Sequence, residues 1–212
     1  MKTLLATAAA AALTLTAAQA AVVDIADVRT NGGAPVVIDL GDGLSVTIEG
    51  GTIDDDAANA VLVDGSLTNV NRGRALGVSA LPDDRPVIET QGDDLNEFIQ
   101  LSFSQTVSLA SFSLFLADDL DDVVLLADGA FVLRESLRGA QDSVREVAAD
   151  VVGSTFIIAA GLLEPGSDPR PGTRNDEFAL SGFEANAVPI PGAAFLFAGA
   201  MAAGAAARKR RG

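Results

Sequence analysis

The stretch Val36-Val37-Ile38-Asp39-Leu40-Gly41-Asp42-Gly43-Leu44-Ser45-Val46-Thr47-Ile48 decides the fold. Its second half alternates apolar and polar residues, the period of a half-buried strand, and its first half is an apolar run of strand length. Between them, Gly41-Asp42-Gly43 supplies residues that accept positive φ, which a tight reversal between two strands requires. The stretch reads as a β-hairpin.

The same pattern recurs further along the chain. Asp64-Gly65 separates the apolar runs 60–63 and 66–70, and Asp128-Gly129 separates 123–126 and 130–133, so both read as hairpins. Ile99, Leu101 and Phe103 alternate with Gln100 and Ser102. After Gln105-Thr106, the run 107–116 places Ala110, Phe112, Leu114 and Leu116 on one face. Residues 155–160 and 177–183 are further strands. The segment 134–152 has apolar residues at Leu137, Val144, Val147, Ala148 and Val151. That spacing permits a short helix and equally a strand pair broken at Ala149-Asp150. Residues 161–175 form a loop rich in Pro and Gly. No fixed-period repeat is present, which disfavours solenoids and propellers. About ten strands with turn signals in one domain predict an all-β, mainly antiparallel fold, a single β-sandwich of jelly-roll type.

Composition narrows the chemistry. The 212 residues include no His, Cys, Trp or Tyr. Without Cys there is no disulfide, thiolate zinc site or Cys nucleophile, and without His no imidazole base or Ser-His-Asp triad. All 29 carboxylates lie between Asp24 and Glu184, where nine Arg are the only cations, giving that segment a net charge of −20. Such a surface repels phosphate backbones, so nucleic acid is excluded as a partner. No Lys remains there for a Schiff base or a phosphate-cradling loop.

The ends carry a different composition. Met1-Lys2-Thr3, an apolar stretch over 4–17 and Ala18-Gln19-Ala20 have the three parts of a secretory signal peptide. Cleavage after Ala20 leaves Ala21 as the mature N-terminus, with Ala18 and Ala20 as the small residues of the site. An exported chain without Cys must draw its stability from core burial or bound ions. At the other end, Val188-Pro189-Ile190-Pro191 precedes an apolar run over 192–207 and the basic cluster Arg208-Lys209-Arg210-Arg211. As a helix, that run spans ~24 Å at 1.5 Å per residue, short of the ~30 Å hydrocarbon core. The proline-containing lead-in extends it, and the basic cluster supplies a stop-transfer, positive-inside element. Read without further context, this is a weak single-pass membrane anchor.

The order Pro-x-Pro, hydrophobic helix, Arg-rich end resembles the PEP-CTERM group of bacterial sorting signals. The motif Val188-Pro189-Ile190-Pro191-Gly192 is closest to the VPLPA-CTERM variant, with Ile190 for Leu and Gly192 for Ala. The resemblance covers residues 188–212. It implies export through the Sec machinery of a Gram-negative cell and a transient inner-membrane intermediate. The resemblance further implies that an exosortase-type membrane protease removes the tail, which would leave the protein at the cell surface or in a biofilm matrix with extracellular polysaccharide. Residues 73–187 also resemble, more loosely, the ectodomains that accompany such signals. The matching elements are Gly92-Asp93-Asp94, the stretch Phe103 to Ser111, the acidic loop Asp118-Asp119-Leu120-Asp121-Asp122, Asp128-Gly129 and the late strand Asn175-Asp176-Glu177-Phe178-Ala179-Leu180. That likeness implies an extracellular β-sandwich and assigns no chemistry. The chain is thus expected to divide into a signal peptide over 1–20, an acidic ectodomain over 21–187 and a sorting signal over 188–212.

Four acidic clusters remain: Asp54-Asp55-Asp56, Asp83-Asp84, Asp93-Asp94 and Asp118-Asp119-Leu120-Asp121-Asp122. None has EF-hand spacing, and acidic loops ordinarily serve as solvated, edge-blunting surface. Asp118, Asp119, Asp121 and Asp122 are the best calcium candidates, because apolar strands on both sides would fix them. Calcium held there could bridge to a carbohydrate. Paired carboxylates also serve glycoside hydrolysis, but sugar clefts draw on Tyr and Trp for stacking, and the interior offers only Phe. There is no Gly-x-Ser-x-Gly elbow either. The sequence reads as a non-enzyme.

Overall fold

The computed structural model describes residues 20–28, 30, 34–54, 60–70, 75–79, 88–91, 95–117, 121–137, 144–160 and 177–188. They form eleven strands and a single 3-10 turn at Ile25–Asp27. In chain order the strands are β1 Ala20–Asp24, β2 Val36–Gly41, β3 Leu44–Asp54, β4 Ala60–Val70, β5 Ala75–Ser79 and β6 Ile88–Gln91. Then come β7 Leu95–Phe115, β8 Asp122–Ala127, β9 Ala130–Ser136, β10 Arg145–Ala160 and β11 Glu177–Ala187. Every pairing is antiparallel. The all-β, antiparallel expectation holds.

The 21-residue β7 is the spine. Its first half pairs with β3, from Asp54 opposite Leu95 to Val46 opposite Phe103, and its second half pairs with β11, from Ala187 opposite Val107 to Ala179 opposite Phe115. β10 follows its other edge, and β8 and β9 extend the sheet beyond β10. The pairings also return on themselves, from β7 through β3, β4, β5 and β11 back to β7. Closure removes edges only within this circuit, leaving β1 and β2 outside it, and it needs bends.

The bends are visible as changes of phase. Ile99, Leu101, Phe103, Val107 and Leu109 are buried, and then Phe112 and Leu114. Ala110 is an additional residue of β7 between the pairs Leu109–Ala185 and Ser111–Glu184. It shifts the inward positions by one, so the expected single face of 107–116 is two faces joined at a bulge. On the other side, β10 carries an additional residue between Ala148 and Val151, where Asp150 has a φ of +48°. The described residues of 134–152 hold the end of β9 and the start of β10 and no helix, with this bulge at the place where a break was expected; 138–143 lie outside the described residues.

Two of the three Asp-Gly steps are turns. Asp42 and Gly43 have φ of +51° and +78°, and Asp128 and Gly129 have +48° and +78°, the mirror-image turn that suits right-twisted strands. Asp64-Gly65 is not a turn but lies inside β4. Gly65 pairs with Gly50 of β3 while Ser66 pairs with Ser79 of β5, so the extended backbone has partners on successive neighbours and gains nothing by reversing.

The interior is aliphatic with a Phe centre. The Phe103 ring meets Phe156 at 5.8 Å and Phe183 at 5.9 Å, both edge-to-face. A smaller cluster gathers Phe98, Val124, Leu126, Ile157 and Ala159. Directly across from Gly51, the Phe98 ring lies where a Cβ would stand, 2.6 Å from its Cζ.

The Asp128 turn is fastened to β10. Its Oδ1 accepts from Ser154 N–H at 3.0 Å, Ser154 Oγ at 3.0 Å and Thr155 N–H at 2.9 Å. The backbone donors of Ser154 and Thr155 hold the carboxyl below its ordinary value of 3.8, against an opposing effect of burial smaller than either, and the Ser154 hydroxyl adds the least. A lowered folded value means the stabilisation is complete above about pH 4 and is lost as pH falls through that value. Asp128→Asn keeps the turn geometry and removes the charge. It is expected to cost about 1–2 kcal/mol at neutral pH, the low end for charge-assisted bonds because the carboxylate is exposed. Melting curves of the two proteins should converge as pH is taken from 7 to about 2.

Candidate functional site

The first and last strands bring the two ends of the described chain together. β1 lies antiparallel on β11, with Ala20 opposite Asn186, Ala21 opposite Ala185 and Asp24 opposite Gly182. Val188 follows β11 and donates its N–H to the Thr106 carbonyl at 3.3 Å. Ala20, Ala21 and Val188 are therefore neighbours on one margin of the sheet. Ala18, Pro189, Ile190, Pro191, Gly192, Arg208, Lys209, Arg210 and Arg211 lie outside the described residues, as does the expected apolar helix. No helix among the described residues is long and apolar enough to cross a membrane.

The calcium candidates are divided. Asp118 and Asp119 lie outside the described residues. Asp121 is buried, its Oδ1 accepting from Glu177 N–H at 3.0 Å while its carbonyl accepts from Leu137 N–H at 2.8 Å. Asp122 Oδ2 pairs with Arg134 Nη2 at 2.7 Å, partly shielded from water. These two carboxylates tie β8 to the start of β11 and to β9. A second ion pair, Arg145 to Glu135 at 3.2 Å, links β10 to β9. Among the described residues, no group of three or more acidic side chains is arranged to hold a metal.

No protein-family model and no curated protein matches the chain. Its own geometry must carry any functional reading.

Two concavities flank β1. One, of ≈ 510 Å³, lies over β1, β7, β10 and β11 and includes Ser111, Ser113, Phe115, Glu146 and Glu184. The other, of ≈ 730 Å³, is an open cleft lined by Ala20 to Asp24, Val28 and Val36 to Leu40. Its walls are β1 and β2. Among the described residues β1 pairs only with β11 and β2 only with β3, so each leaves one edge unpaired, and both strands line the cleft. Val36, Ile38 and Leu40 pack against the core yet stay partly exposed there, while Val22 and Val37 point outward at 74% and 68% exposure. The sequence reading missed this cleft. Its signal was an apolar Val37 on the outward phase of an otherwise half-buried strand.

Proposed function

We propose that the chain is an exported, non-catalytic surface or extracellular-matrix protein, processed at both ends and displaying its acidic antiparallel fold, read as a jelly-roll-type β-sandwich. What supports this reading is the pairing of β1 with β11. The strand that begins at the proposed signal-cleavage point lies beside the strand that ends before Val188-Pro189, so both proposed cuts would fall near one margin and leave the described core intact. The C-terminal signal is the substrate of an exosortase-type protease after Sec export, and Val188, Pro189, Ile190, Pro191 and Gly192 carry its recognition. The net charge of −20 keeps the displayed domain soluble. Association with extracellular polysaccharide would use hydroxyl and carboxylate contacts rather than aromatic stacking.

The test is the mass and location of the protein recovered from cells. The expected species starts at Ala21, lacks the 192–212 segment and lies outside the inner membrane. Changing Pro189 and Pro191 together to Ala should leave the tail in place and the protein in the inner membrane. Unaltered processing of that variant refutes the sorting assignment, and a wild-type tail intact in the membrane makes the chain a plain anchored protein.

A further inference from the structure

The cleft between β1 and β2 has the features of a missing strand. Open sheet edges present unpaired N–H and C=O groups that accept an extended segment, and natural folds ordinarily blunt or cover them. Here β1 and β2, each with one edge unpaired among the described residues, line one space, and the core beside it remains incompletely covered at Val36, Ile38 and Leu40, next to buried Val23 and Val28. We infer that this cleft binds an extended peptide segment of a partner protein, which enters as an additional strand between β1 and β2.

The occupant's chemistry follows from the walls. A strand sends alternate residues to opposite faces, so one set must be apolar to cover Val36, Ile38 and Leu40. The other set emerges beside Asp24 and Asp39, on strands that carry no Lys or Arg, in a domain of net charge −20. That set is therefore basic. The same charge opposes a second copy of this chain, whose β1 and β2 would bring further carboxylates to the same place. About five residues suffice, matching the five of β1 and six of β2. The inference does not depend on how the chain is exported.

The absence of Trp and Tyr makes a direct test available. A nine-residue peptide with the sequence KVKIKWKVK places its only Trp on the apolar set, so its emission reports burial without background from the protein. Titrated with the full chain in a non-ionic detergent, against detergent alone, it should bind one-to-one with a blue shift. It should also slow hydrogen exchange at the outward amides of β1 and β2. The same peptide N-methylated at alternate residues keeps charge and hydrophobicity but cannot pair along one edge. It should bind at least about tenfold more weakly. Glutamate in place of lysine should abolish binding, and the Val37→Lys protein, altered at an exposed position, should bind the basic peptide several-fold less well. Equal binding of the methylated and unmethylated peptides, or no blue shift, overturns the inference. So does a peptide-free chain whose outward amides are already protected, since another part of the chain then fills the cleft. A concentration-dependent dimer that the peptide dissolves would replace the partner with a second copy.

Discussion

Phe103→Ala is expected to lower the unfolding free energy by about 3–5 kcal/mol, a large share of the roughly 5–15 kcal/mol available to a domain of this kind. The ring sits where β7, β10 and β11 meet, with edge-to-face partners Phe156 and Phe183 at 5.8 and 5.9 Å. Removing it leaves a cavity among groups fixed by three strands, which cannot close by rotating one side chain. The two aromatic contacts add roughly 0.5–1.5 kcal/mol each beyond buried area. Far-UV circular dichroism during urea unfolding of the full chain would measure the loss. Phe131→Ala, on a partly exposed position of β9, provides the comparison and should cost far less. A Phe103→Ala penalty no larger than that of Phe131→Ala would remove Phe103 from the centre of the core.

Strand chemistry was legible wherever a single face was buried. The hairpin at 36–48 and the Asp128-Gly129 turn follow from alternation and from residues that accept positive φ, and both form. Reading failed where long-range pairing overrides local preference. Asp64-Gly65 has the local chemistry of a turn but is held extended by β3 and β5, partners that sequence spacing does not reveal. The bulges at Ala110 and Asp150 likewise depend on neighbouring strands, since alternation alone assigns Val107 and Phe112 to opposite faces and the bend brings both inside. For the candidate site, composition removed much chemistry at once. It did not show that Asp121 and Asp122 are engaged by Glu177 and Arg134, nor that β1 and β2 line one cleft, each with an edge unpaired among the described residues. Pairing across 166 residues, as between Ala20 and Asn186, leaves no local trace.

That distant pairing has its own weak point. Gly182→Ala is expected to detach β1 from β11 at a cost of about 1–3 kcal/mol, the range for an intruding methyl group in a packed site. A Cβ built at Gly182 lies 2.7 Å from the Val23 carbonyl oxygen, with the Val23 carbonyl carbon and Asp24 Cα next at 3.8 and 4.0 Å. Every one of these atoms is backbone, so no rotamer change relieves the clash and the strand itself must move. The close approach at Gly51 differs, because its neighbour is the end of the Phe98 ring. Movement of β1 withdraws Val23 and Ile25 from the core and takes away one wall of the cleft. The effect should be local. Hydrogen exchange in the Gly182→Ala protein should accelerate at residues 20–24 while the shared stretch of β3 and β7 stays slow. Binding of the basic strand peptide should fall with it, since one of the two edges it requires is displaced. Uniform acceleration across all strands would instead mean that Gly182 supports the whole sheet, and unchanged exchange at 20–24 would show that β1 accommodates the methyl group.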